Sequence, residues 1–305
     1  MDGISKRIVT LFIATSFLSA CGGGGGGGGG TTTSALSSWQ NITYPSTVTA
    51  SGVAYEGTYT YNTSTGNLTS VGAASAASNP QIQLTYNSSG TLTAGTISTS
   101  SQTQSYDSFS AANSDGTLTF ALKTSDASDW ALATEPTASA LNWKYQAFSV
   151  WTDPQSSGSG KYGSISVGSQ TTGSSIPSSS SATFSGYGGG FYTDSSNNVF
   201  VVQSSVSATA NFATRQVSLS SSSTGKQQYS NGSFGAYGAD SNLNLSGTLS
   251  YSANTNSLSG TLTTTSGMSG SSQARFYGPN AEEIGGVFNL TGGNQTFVGA
   301  FGAKQ

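Results

Sequence analysis

The chain has 305 residues, of which 7% are charged, 34% hydrophobic and 10% aromatic, with 41 glycines, one cysteine, no histidine and a net charge of −3. That length suffices for one large or two modest folded units, and the spread of aromatics argues against a disordered chain despite the abundance of Ser and Gly. A slightly acidic chain with no basic run offers no footprint for nucleic acid or for anionic lipid headgroups. Without histidine, and with one cysteine, Ser-His-Asp triads, Cys-His dyads, the usual zinc sites and His-ligated haem are excluded. No cofactor is expected, and no disulfide can form within the chain.

Lys6 and Arg7 precede an apolar run, Ile8 to Leu18, that is too short to cross a bilayer as a mature helix, so residues 1–20 are expected to be a signal peptide. Leu18-Ser19-Ala20-Cys21 ends that run in small residues and the only cysteine. This stretch resembles the lipobox of bacterial lipoproteins, which implies that Cys21 is lipidated and becomes the mature N-terminus. Gly22 to Gly30 is an unbroken glycine run continued by small polar residues, and residues 21–38 are expected to be a flexible tether. A phosphate-binding glycine loop would need a strand before it and a helix after it, and this run has neither.

From 39 to 172 the pattern is β-rich. Val53 to Tyr61 alternates with period two and runs into the turn cluster Asn62–Asn67; short apolar runs around Ile82, Leu92, Ile97 and Leu118 follow, separated by Asn, Ser, Asp and Gly. Asn142 to Asp153 is the segment richest in aromatics. It is expected to be a central strand with Trp143, Tyr145 and Ala147 on one face and Phe148 and Val150 on the other. A stacking platform for a ligand is the alternative, for which Tyr145 and Trp151 are the candidates. Asp126, Asp129, Asp153 and Asp194 show no calcium-loop spacing and are expected to serve turns.

Ser174 to Ser181, around Pro177, is the expected boundary. Beyond it, over 178–305, eight strand candidates follow: 182–192, 199–212, 215–222, 243–251, 258–264, 272–277, 284–290 and 296–303. Leu245, Gly247 and Leu249 share one face and Leu258, Gly260 and Leu262 the returning face of a hairpin. Small residues at inward positions (Gly247, Gly260, Gly286, Gly299) among Leu and Phe suit a closed eight-stranded antiparallel barrel with an apolar inside and a hydroxyl-rich outside. The fold class is therefore all-β. Gly186 to Phe191 is expected to hold a bulge or turn, with Tyr187 and Phe191 as further ligand-contact candidates. Glu282 and Glu283 are adjacent; glycoside hydrolysis needs carboxyls about 5–10 Å apart across a cleft, and neighbours in a turn more often point apart.

Gln273 to Leu290, containing Phe-Tyr-Gly-Pro-Asn-Ala-Glu-Glu-Ile-Gly-Gly, and the terminal Gly299-Ala300-Phe301-Gly302-Ala303-Lys304 resemble the end of the β-barrel lobe of transferrin-binding protein B and related bacterial surface lipoproteins. The pattern around Trp143 to Trp151 is similar to the smaller handle subdomain of that family. The resemblance implies a handle-like unit over 39–172 before the barrel. It also implies a non-enzymatic outer-membrane lipoprotein, held by its lipid and exposed at the cell surface. Such a protein captures an extracellular protein or an iron or haem carrier and works with a TonB-dependent outer-membrane receptor. This chain departs from transferrin-binding protein B in having one lobe, few charges and no histidine. A surface adhesin or display protein is the alternative, although no repeat of fixed period supports a solenoid.

Overall fold

A computed structural model describes residues 32–230 and 233–305, and among these the regular secondary structure is almost wholly β-strand. The expected signal peptide, Cys21 and the glycine run lie outside the described residues. Part of the expected tether does not run free: Thr32–Ala35 pairs in parallel with Ser46–Thr49, and Ser38 caps a single 3-10 turn, Trp39–Asn41, through Gln40 N. A Thr/Ser segment beside an open strand edge satisfies its backbone by joining that edge.

Twelve strands make the first sheet: β1 (Thr32–Ala35), β2 (Ser46–Tyr61), β3 (Leu68–Val71), β4 (Ser75–Ala76), β5 (Gln81–Tyr86), β6 (Leu92–Ser98), β7 (Thr103–Tyr106), β8 (Ser108–Ala111), β9 (Leu118–Lys123), β10 (Asp126–Thr134), β11 (Gln146–Gln155) and β12 (Ser159–Gly168). Their spatial order is β7-β6-β5-β2-β12-β11-β10-β9-β8, with β1, β3 and β4 also on β2. The two ends of this path are consecutive in the chain. Pairing of β7 with β6 stops at Gly95–Tyr106, Asp107 N donates to Leu122 O, and β8 then pairs with β9. One continuous segment thus bridges both edges and curls the sheet into a nearly closed barrel that parts between the start of β6 and β8.

The second sheet holds β13 (Ser181–Thr193), β14 (Val199–Asn211), β15 (Gln216–Ser230), β16 (Ser233–Phe234), β17 (Gly238–Ala239), β18 (Leu245–Ser250), β19 (Leu258–Thr264), β20 (Ser269–Tyr277), β21 (Glu283–Gly292) and β22 (Gln295–Lys304). The order β14-β13-β22-β21-β20-β19-β18-β15, with β14 also paired to β15, is a closed ring of eight antiparallel strands. The eight expected strands are these eight. Phe184, Leu249, Leu258, Leu262, Phe276, Phe288 and Phe301 fill the interior, and the Phe288 ring occupies the space that a side chain at Gly299 would take. The expected bulge at Gly186–Phe191 is absent: β13 pairs without a register shift on both sides. The irregularity lies instead opposite β14 at Gln203/Ser205, where Ser223 of β15 has φ 53°.

The two barrels differ inside. At inward positions of β9, β10 and β11 the first barrel carries Ala121, Ala131 and Ala147, where the second carries Phe and Leu. It therefore keeps a cavity of about 1280 Å³. At roughly 24 cal/mol per Å³, a sealed dry void of that size would cost on the order of 30 kcal/mol, more than the 5–15 kcal/mol net stability of a typical domain. Such a space must be occupied or open to solvent.

The boundary segment is not a loose linker. Gly173–Ser175 forms a 3-10 turn, Ile176 enters the second barrel's core, Thr171 N donates to Phe276 O and Gly278 N to Ser169 O. Nor is the second barrel hydroxyl-coated all round, because Val287, Val298 and Ala300 on its outer face are buried against Val53, Tyr55, Phe148 and Val150 of the first. A third apolar cluster thus lies between the barrels. Asp194 serves a turn as expected, accepting from Ser196 N and Asn198 N. Asp129 and Asp153 are instead buried within β10 and β11.

Candidate functional site

The seam between the barrels is built from the most distinctive stretch of the sequence. Glu283, 3% exposed at the start of β21, accepts three backbone N–H groups from the segment entering β11: Lys144 N at 2.6 Å, Tyr145 N at 3.0 Å and Gln146 N at 2.9 Å. Burial pushes the Glu283 carboxyl above the usual range, while these three donors and the Lys304 ammonium pull it back. Glu282 turns the other way and accepts from Asn280 N at 2.8 Å within its own turn. The two carboxylates thus have separate structural partners rather than a shared cleft. Gly278 at φ 88° lets the Gly-Pro-Asn turn form under the Tyr145 ring, and the Gln146 amide fills the space that side chains at Gly285 and Gly302 would take. Tyr277 Oη lies 3.1 Å from Ser166 Oγ, Tyr55 donates to Ser271 Oγ at 2.7 Å and Asn289 to Ala74 O at 2.7 Å.

Along one flank of the seam an aromatic series crosses from barrel to barrel. Phe120 meets Trp130 at 5.3 Å, Trp130 meets Phe191 and Tyr229 at 5.3 Å each, and Tyr229 meets Phe234 at 5.1 Å. The series ends in solvent, since Phe234 is 45% exposed. Beside it a cleft of about 230 Å³ opens between the barrels, walled by Leu118, Leu132 and Val150 from the first and by Gly188–Gly190 and Val201 from the second. Tyr187 and Tyr237 stand on its edge, 46% and 57% exposed. Phe234, Tyr187 and Tyr237 are three of the four exposed large hydrophobic residues among the described residues; Tyr44 is the other. An exposed aromatic group beside a concave surface is the composition of a protein-binding hot spot, with large contact area and few torsions to order.

The four residues that the sequence nominated do not gather at one place. Tyr187 is at the cleft. Phe191 is buried in the aromatic series, 8% exposed, and Tyr145 packs on Gly278 at the seam. Trp151 lies 1% exposed inside the first barrel, its ring over Gly163. Trp143 does not share a face with Ala147: the strand begins only at Gln146, Asn142 has φ 46°, and the chain turns Trp143 onto the Phe148 side, 6.0 Å from that ring. Tyr237 and Phe234 were missed; their signal is the pair of aromatics in the Gly-rich run 231–238. Among the described residues no cluster of acidic or cysteine side chains has metal-site geometry.

Comparison with known proteins bears on residues 176–305, which match the family described as C-lobe and N-lobe beta barrels of Tf-binding protein B. That is less than half of the chain. No curated protein matches the sequence. Among solved structures, the chain is similar to a single-site mutant of the vaccine antigen transferrin-binding protein B from Haemophilus parasuis, at 13% identity and TM-score 0.40 over 83% of this chain and 76% of that one. It is also similar to isotype 1 transferrin-binding protein B from serogroup B Neisseria meningitidis, at 14% identity and TM-score 0.38 over 75% of this chain and 52% of that one. A crystal structure described as a surface lipoprotein aligns at 11% identity and TM-score 0.41, over 82% of this chain and 98% of that one.

Proposed function

Residues 176–305 form a barrel of the transferrin-binding protein B-like family, and from that premise we propose that the chain is a cell-surface binding protein of the bacterial outer membrane. Lipid on Cys21 anchors it, and it captures a soluble extracellular protein at the seam of its two barrels. Transferrin, the ligand in the family's own description, is the first partner to test, with other iron or haem carriers next; the receptor served would be a TonB-dependent outer-membrane importer. Binding rather than catalysis is supported by the separate structural partners of Glu282 and Glu283. The observation that carries the reading is the exposed pair Tyr187 and Tyr237 on the edge of the interbarrel cleft. Tethering would hold captured cargo at high effective concentration beside an importer.

The test has two arms. Immobilised chain is titrated with transferrin and with serum fractions, and a saturable response that Tyr187→Ala/Tyr237→Ala weakens at least tenfold is expected. Unsaturable adherence to many surfaces, indifferent to those substitutions, would instead indicate an adhesin. In the second arm Cys21→Ser is expected to move the protein from the membrane fraction to the soluble one; retention would refute the anchor.

A further inference from the structure

The outer wall of the N-terminal barrel serves the seam and the aromatic cleft, but its hollow interior is used by neither, and the lining of that interior has the chemistry of a ligand site. Ile82, Ile97, Ile165 and Val167 contribute aliphatic wall, and the inward alanines of β9 to β11 leave the space open. At about 1280 Å³ the cavity exceeds the roughly 300–1,000 Å³ of pockets that hold drug-sized molecules. Small barrels either fill their interior with side chains or hold one ligand, and the C-terminal barrel of the same chain takes the first course. Two residues of this lining carry buried polar groups. Trp39 and Tyr106 are each 4% exposed, and neither Trp39 Nε1 nor Tyr106 Oη has a hydrogen-bond partner among the described residues. An indole N–H can only donate, so its complement must bring an accepting oxygen.

Charge narrows the class. Asp115 and Glu135 are the charged side chains that line the cavity, with no Lys or Arg beside them among the described lining residues. Glu135 sits by the Tyr44–Tyr86 ring pair, whose centroids are 5.4 Å apart, and Asp115 is exposed; together they mark an acidic, aromatic mouth. A carboxylate or phosphate headgroup entering there meets like charge and no cation.

We propose that this cavity is a binding site for an elongated, uncharged apolar molecule that carries an ester or carbonyl oxygen, of the neutral acyl-glycerol type, and that it discriminates against the corresponding fatty-acid anion. The acyl chain lies along the alanine-lined wall, and the oxygen accepts from Trp39 Nε1.

The probes are a fluorescent monoacylglycerol and the fatty acid of the same chain and label, titrated at pH 8 into the full-length chain carrying Cys21→Ser, so that no anchor of its own competes. Saturable binding of one monoacylglycerol per chain is expected, with the fatty acid at least tenfold weaker. Ala131→Phe and Ala121→Leu fill the space from two different strands, and near-ultraviolet circular dichroism reports which of them keep the fold. Whichever does should lose the monoacylglycerol at least tenfold. Trp39→Phe keeps an aromatic of similar shape without the N–H and should weaken the monoacylglycerol several-fold while leaving a label on a plain alkyl chain unchanged. No saturable monoacylglycerol binding, equal or tighter binding of the fatty-acid anion, or unchanged affinity in a folded cavity-filled variant would overturn the proposal.

Discussion

Replacing Glu283 by Ala is the most demanding test of how the two barrels are joined. The carboxylate accepts from three backbone N–H groups at 2.6, 3.0 and 2.9 Å. The Gln146 N–H is buried with its residue at 0% exposure and has no route to water, so its loss of partner costs about 1–3 kcal/mol; the Lys144 and Tyr145 N–H groups are partly buried and lose about 1 kcal/mol each. The sum, about 3–5 kcal/mol, is also the range for removing one member of a buried charged pair. Glu283→Gln keeps one oxygen but turns an NH2 toward a backbone donor, and should cost about 1.5–3 kcal/mol. Urea unfolding followed by tryptophan fluorescence checks this. With a slope near 3 kcal/mol/M, the alanine midpoint should fall by about 1–1.7 M, and the two barrels should begin to unfold separately. Glu282→Ala, which breaks only an exposed turn contact, should move the midpoint by less than about 0.3 M. If Glu283→Ala moves it no further than Glu282→Ala does, the carboxylate is not what joins the halves.

Gly302→Leu places a side chain on the outer barrel face against the Gln146 amide; it should loosen the seam by about 1–3 kcal/mol, read as faster proteolysis between residues 168 and 181, while the C-terminal fragment stays protected. Asp129 is pushed up to about 6 by burial and by the Asp153 carboxyl beside it, despite Lys123 at 3.3 Å. A raised folded pKa means that the native state binds the proton more tightly than the unfolded chain does. Stability should therefore fall by on the order of 1–3 kcal/mol as pH rises from about 4 to 6, and Asp129→Asn should flatten that slope in denaturation midpoints measured across the window. Tyr187→Ala/Tyr237→Ala should weaken partner capture at least tenfold with a loss of stability under about 1 kcal/mol, because both rings are about half exposed.

Which features were legible in the sequence follows from the range over which each is encoded. Period-two alternation is local, so Leu245-Gly247-Leu249 against Leu258-Gly260-Leu262 already specified a hairpin and which of its faces is buried, and the eight strands of the second barrel could be read in order. The wording around Gly278–Gly286 stood out, but its purpose did not. Glu283 acts on a segment 137 to 139 positions away, and no local pattern records that. Trp151 and Phe191 resembled ligand contacts because a buried aromatic and a binding aromatic are the same residue type; exposure alone separates them, and exposure depends on what packs above.

Composition and alternation by themselves determined an all-β chain, lacking histidine chemistry, with eight strands in its C-terminal part, since each of those properties depends on residue identity or on neighbours within one strand or hairpin. Tertiary structure alone decided that one barrel is filled and the other hollow, that a polar-looking barrel has one apolar outer side, and that a buried glutamate joins the two. Those outcomes depend on which side chains from strands far apart in sequence come to share one volume, and that is set only when the sheets close and dock.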